Sequence, residues 1–131
     1  MKKLKRILIA NRGEIAVRIM RTARKMGIET VAVRTAVEPD AMYLTFADII
    51  HEEDDELAEI PVFLDVEKLI AIALKTKCDA VHPGYGFLAE NAWFAEKCRD
   101  NKIIFIGPSP DAIYKMGNKP VARQIALKHK I

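Results

Sequence analysis

Short apolar runs alternating with helical patterns predict an α/β fold: a doubly wound, mostly parallel sheet of about five strands with helices on both faces. Two observations carry this. The strand-like runs Arg6-Ile7-Leu8-Ile9-Ala10, Glu29 to Arg34 and Ile103-Ile104-Phe105-Ile106 are continuously apolar at their centres, as strands covered on both faces must be. Between successive strands stand stretches with helical periodicity, the order in which parallel strands are wound.

Each element follows from local chemistry. From Gly13 to Met26, Ile15, Ala16, Ile19, Met20, Ala23 and Met26 recur at helical spacing. Glu14 precedes Arg18 by one turn in the favourable order, and Gly27 is a natural helix stop. After the second strand, Pro39-Asp40 opens a short helix over about Ala41 to Phe46, and Ala47 to His51 reads as a weak third strand. Asp65 is a good N-cap for a helix carrying Val66, Leu69, Ile70, Ala73 and Leu74, closed by Lys75 and Lys77 at its negative end. Asp79 to His82 is a fourth strand, and Asn91 caps a helix with Phe94, Ala95 and Cys98 inward. Gly107-Pro108 ends the fifth strand. A short helix follows over Ser109 to Met116, and another runs from about Pro120, a residue well placed at a first helical position. The sequence stops inside that last pattern without a cap, as a truncated piece of a longer protein would.

Composition narrows the function classes. The chain has 131 residues, 50% of them hydrophobic and 30% charged, with a formal net charge of +3, which suits one soluble domain with a real core. The basic residues split between Lys2-Lys3-Lys5-Arg6 and the first helix rather than forming one strongly basic face, so no nucleic-acid partner is expected. The acidic run from Glu52 to Glu59 reads as a solvated loop. Cys78 and Cys98 form no CxxC pair, and His51, His82 and His129 are scattered. That pattern suggests neither zinc nor a disulfide framework and fits a reducing cytoplasm. The apolar core after MKKLKR spans only Ile7 to Ala10, too short for a secretory leader or membrane span.

Ligands of a doubly wound sheet meet the loops at the strands' carboxyl ends. Four unusual segments fall there: Asn11-Arg12-Gly13-Glu14, Thr35 to Asp40, His82 to Asn91, and Gly107 to Pro110. The first holds one glycine and is not the GxGxxG dinucleotide fingerprint. In the third, Gly84 and Gly86 permit close backbone approach, Tyr85 and Phe87 offer flat apolar surface, and His82 and Glu90 are titratable. This is either a small-molecule cradle or a tight turn whose aromatics pack on the sheet. His82 alone reads as a hydrogen-bonded structural histidine. Lys119 stands at the positive end of the last helix, where a lysine suits a phosphate or is simply a surface charge.

Taken together, IANRGEIAVRIMR, HPGYGFLAENAWFA and FIGPSPDAIYKMGNK closely resemble the biotin carboxylase family in order and spacing. The resemblance implies the Rossmann-like domain that precedes an ATP-grasp lid, over residues 1–117, with 118–131 beginning the ATP-grasp region. It implies an ATP- and magnesium-dependent ligase that activates bicarbonate as carboxyphosphate and carboxylates biotin on a separate carrier protein or domain. Lys119 would reach the ATP phosphates. Tyr85 and Gly86 would line the biotin and bicarbonate pocket, with His82 and Glu90 close by. The implied partners are the biotin carboxyl carrier, a carboxyltransferase and the remainder of the biotin carboxylase, whose downstream parts would hold the magnesium ligands. Arg18 and Arg21 match positions at a bacterial homodimer interface, with Lys25 where the family often has an acid. Asn118 stands where Asp is common, and Pro61-Val62-Phe63-Leu64 departs from the usual Ser-Tyr-Leu stretch.

On this reading the isolated chain is inactive and the acyl substrate stays open among acetyl-, propionyl- and pyruvate-type carboxylases. The competing readings are a non-catalytic Rossmann-like assembly module and a mono- or dinucleotide-binding domain; the missing GxGxxG weighs against the latter.

Overall fold

The computed structural model describes residues 3–117 and Leu127. Five strands form one all-parallel sheet: β1 Arg6–Ile9, β2 Glu29–Arg34, β3 Ile49–Glu52, β4 Ala80–His82 and β5 Ile104–Phe105. Their order across the sheet is β3-β2-β1-β4-β5. The helices are α1 Gly13–Lys25, α2 Val66–Lys75, α3 Ala92–Asp100 and α4 Pro110–Gly117. The expected doubly wound α/β architecture is therefore present. Lys119, expected at the ATP phosphates, lies outside the described residues, as does the helix expected from Pro120 apart from Leu127, which is helical.

Alternate residues of each central strand serve opposite faces. Leu8, Val31, Val33 and Val81 pack with Leu69, Ile72 and Ala73 of α2 and Phe94 and Cys98 of α3. Ile7, Ile9, Ala32 and Ala80 pack with Ala16, Val17, Met20 and Ala23 of α1 and with Tyr43 and Leu44. Tyr43 is fully buried because its hydroxyl donates to Val33 O at 2.7 Å, which removes the penalty of hiding a phenol. Burial also pushes its pKa up to about 12.

Polar staples lock the amino ends of the strands. One Asp79 oxygen accepts from Lys5 N at 2.8 Å and Arg6 N at 3.0 Å, tying the start of β1 to the approach of β4. Asp48 does the same for β2 through Thr30 N at 2.8 Å. Arg6 donates to Thr76 O at 2.7 Å and pairs with Glu29 at 3.0 Å. The backbone requirements at that end are met internally, and the carboxyl-end loops stay available for other work.

Caps behave as their residue types dictate. Asp65 accepts from Lys68 N at 3.1 Å and Asn91 from Phe94 N at 2.9 Å. The short helix expected after Pro39-Asp40 is present as a 3-10 helix, Met42–Phe46. One expectation changes. The acidic run is not uniformly solvated. Glu53 is drawn between His51 Nε2 and Lys68 Nζ, both at 3.0 Å, and Asp55 accepts from Ala36 N at 2.9 Å. Burial alone would raise the Glu53 carboxyl, but the hydrogen bonds from Lys68 and His51 outweigh it and hold the carboxyl below its ordinary range. Pro61 to Leu64 also has a definite role: it forms a 3-10 turn, Val62–Leu64, that buries Val62 and Phe63.

Candidate functional site

The winding of the sheet reverses between β1 and β4: β1 leads outward to β2 and β3 on one side, β4 to β5 on the other. At such a switch point the loops following the two strands part and leave a crevice. Here Asn11 to Ile15 form one side of it and Tyr85, Gly86 and Phe87 the other, around a cavity of about 360 Å³. The Tyr85 ring is 67% exposed, and a methyl group at Gly86 would meet nothing within 4 Å. The loop therefore presents aromatic surface and open backbone outward instead of packing both onto the sheet.

The side chain that holds this loop belongs to the unusual Asn11 to Glu14 segment, where the sequence assigned it no role. Asn11, only 3% exposed, donates from Nδ2 to Pro83 O and Tyr85 O, each at 2.8 Å. Its Oδ1 accepts from Arg12 N at 2.8 Å. The amide orientation is unambiguous, since a flipped Asn would aim its oxygen at two carbonyl oxygens. Gly84 is required beside it: a Cβ there would lie 2.6 Å from Nδ2, and φ is +67°. The sequence clue was a polar residue directly after a buried strand, but its partners lie more than 70 residues away.

His82 ends β4, and its Nδ1 accepts from Gly84 N at 3.0 Å. An acceptor Nδ1 carries no proton, so this geometry selects the neutral ring with hydrogen on Nε2. Burial acts in the same direction, holding the His82 pKa below its ordinary value. His82 thus satisfies the structural-histidine reading at Nδ1. The same ring borders a largely apolar groove of about 550 Å³ along α1, lined also by Ile15, Arg18, Ile19, Met26, Tyr85 and Ile106. Tyr85 bridges the groove and the crevice.

The other expected residues divide. Glu90 is exposed in the turn before α3 and is not among the residues lining the crevice. Arg18 faces the groove, whereas Arg21, three residues on, lies over the Phe46 ring at 5.2 Å from its centroid. Arg12, at the rim of the crevice, forms an ion pair with Glu38, which raises the pKa of the guanidinium and lowers that of the carboxyl. Phe87, a non-glycine residue at φ 41°, rests against Phe63 with centroids 5.5 Å apart. The Pro61 to Leu64 stretch therefore buttresses the loop that carries Tyr85 and Gly86. Among the described residues, no group of three His, Cys, Asp or Glu side chains could hold a metal ion. Among them, too, no helix is long and apolar enough to cross a membrane.

Comparison with known proteins agrees with the three motifs. The family description "Biotin carboxylase, N-terminal domain" matches residues 3–113. Biotin carboxylase 1 of Bacillus subtilis (strain 168) is 50% identical over 121 residues, covering 92% of this chain and 27% of that protein. Human mitochondrial pyruvate carboxylase is 43% identical over 126 residues, covering 96% of this chain and 11% of that protein. Among solved structures, the biotin carboxylase domain of a thermophilic 2-oxoglutarate carboxylase, bound to bicarbonate, superposes with a TM-score of 0.90 at 37% identity. That match covers 97% of this chain and 28% of the other. The chain thus spans little more than a quarter of the length of either biotin carboxylase it matches here, and less of the pyruvate carboxylase. The sheet order, the Tyr85–Gly86 turn at its switch point and these matches place the chain in the biotin carboxylase N-terminal domain family.

Proposed function

We propose that this chain supplies one wall of the active site of a biotin carboxylase, the ATP-dependent ligase component of a biotin-dependent carboxylase. The observation that carries this is the Tyr85–Gly86 turn, held open at the sheet's switch point within a chain of this family. On this reading residues 1–117 are the domain that precedes the ATP-grasp lid, and 118–131 begin the lid region. Tyr85 offers a flat phenol face to the uncharged ureido ring of biotin delivered on a separate carrier. Gly86, with open space where a side chain would stand, lets that ring and bicarbonate approach the backbone. His82 contributes polarity beside Tyr85, and Glu90 marks the outer edge of the same loop. Lys119 contributes a positive charge for the phosphates of ATP.

ATP with magnesium supplies the activation of bicarbonate. The described residues offer no ready-made metal cluster, so no step on this chain is assigned to the metal. The partners on this reading are the remainder of the biotin carboxylase, a biotin carboxyl carrier and a carboxyltransferase, with a second copy meeting the α1 face at Arg18 and Arg21. The acyl substrate is set elsewhere, since relatives as different as pyruvate and 2-oxoglutarate carboxylases share this domain.

The test is kinetic. In the complete enzyme, Lys119→Ala is expected to raise KM for ATP or lower kcat, and Tyr85→Ala to raise KM for free biotin. The isolated chain is expected to show no biotin-dependent ATP hydrolysis. Turnover by the isolated chain, or a complete enzyme indifferent to both substitutions, would overturn the proposal.

A further inference from the structure

We propose that Asn11 is the positioning residue of the Tyr85–Gly86 wall: its buried carboxamide fixes the turn from His82 to Tyr85 and thereby presents His82 as an Nε2–H donor rather than a base. Three observations combine. Nδ2 of Asn11 spends both hydrogens on backbone carbonyls of the turn, Pro83 O and Tyr85 O, at 2.8 Å each. Those two carbonyls flank Gly84, whose N–H is the one that meets His82 Nδ1 at 3.0 Å. The Asn11 side chain also occupies the space beside Gly84, so this turn is specified from both sides.

The chemical consequence lies in His82. Pinning Gly84 N–H against Nδ1 makes protonation there costly, because an imidazolium would set two N–H donors face to face. What remains is one N–H donor at Nε2, on a ring that lines the groove together with Tyr85 and Arg18. Such a group can hold a carbonyl or carboxylate oxygen but cannot remove a proton at Nε2. Asn11 borders the crevice, but both of its amide hydrogens are spent on the loop. It acts through the backbone, from the end of β1 across to the end of β4.

The functional weight of this inference rests on reading Tyr85–Gly86 as a site wall; the geometry itself does not. The test therefore uses the chain with no ligand. In the 15N-labelled chain, long-range 1H–15N spectra should show His82 with a non-protonated Nδ1 and a protonated Nε2. The Gly84 amide should be protected from exchange. In Asn11→Asp, which keeps the shape and Oδ1 but loses the donors, Gly84 exchange should accelerate about tenfold or more, the worth of one or two hydrogen bonds. His82 should then shift toward mixed tautomers. Asn11→Ala should do the same and, adding no charge, should let His82 titrate closer to free histidine.

A variant weakened elsewhere, Ile72→Val in the opposite core, should leave both His82 readouts unchanged; if it moves them equally, Asn11 acts only through general stability and the inference falls. It also falls if the folded Asn11 variants keep the unmodified tautomer and exchange rate. If neither variant folds, the unmodified chain decides, because a proton on Nδ1 contradicts the scheme outright. Since no measurement here involves ATP or biotin, failure of the carboxylase reading would leave these results standing, and the converse holds.

Discussion

Replacing Gly84 by alanine isolates the contact on which the site loop depends. The added methyl would lie 2.6 Å from Asn11 Nδ2 and 3.1 Å from its Cγ, and Asn11 is too enclosed to swing aside. Two costs follow. The left-handed backbone at φ +67° costs alanine roughly 1–2 kcal/mol. Displacing Asn11 strands Pro83 O and Tyr85 O, and losing partners for such groups costs roughly 1–3 kcal/mol each when buried. The Tyr85 bond is only partly buried, so a total of about 3–5 kcal/mol is expected.

Gly86→Ala is the matched control. Its φ of +72° carries the same backbone penalty, but nothing lies within 4 Å of the new methyl. Only about 1–2 kcal/mol should be lost there. Urea unfolding followed by circular dichroism, with m unchanged, measures both. A difference of about 2 kcal/mol or more between the two variants is expected from these costs. Two variants equal to within roughly 0.5 kcal/mol would refute the reasoning, because the backbone term alone would then explain both.

Three further outcomes follow from the same structure. Asp65→Ala removes the bond to Lys68 N and should cost about 1 kcal/mol in the same unfolding assay. Because His82 is more easily protonated in the unfolded chain, its contribution to stability is complete above pH 6.5, its ordinary pKa, and is lost as pH falls through its lower folded value. His82→Gln should flatten that part of the stability curve, while the loss from Glu53 appears only further down, below its ordinary pKa of 4.5. Burial pushes the Cys98 thiol up to about 12 and raises Cys78 as well, so neither should react appreciably with a disulfide reagent at pH 8 until urea unfolds the chain.

What the sequence revealed was what is local. Continuous apolar runs located β1, β2 and β5, shorter apolar pairs located β3 and β4, and Asp65, Asn91 and Gly27 marked helix ends because their effect reaches only a few residues. The pattern over Ala41 to Phe46 marked a short helix, which forms as the 3-10 helix Met42–Phe46; hydrophobic spacing does not separate i→i+3 from i→i+4 bonding over so short a stretch. Glu53 and Asp55 looked solvated within an acidic run, yet Lys68 and Ala36, which pair with them, come from other elements. The site shows the same division. Tyr85, Gly86 and His82 drew attention through residue type, but Asn11 and Phe63, which hold their loop in place, became visible only once parallel pairing set β1 beside β4 and folded the Pro61 to Leu64 turn beneath Phe87.

If this chain forms a working wall of a biotin carboxylase site, it should serve in place of a relative's. The most direct measurement grafts it in place of the matching first domain of Bacillus subtilis biotin carboxylase 1, with which it is 50% identical over 121 residues. The readout is bicarbonate- and biotin-dependent ATP hydrolysis by the purified chimera. Activity within about tenfold of the parent, a change of roughly 1.4 kcal/mol, is expected, with biotin dependence lost on Tyr85→Ala. A chimera that folds and binds ATP yet shows no biotin-dependent hydrolysis would contradict it.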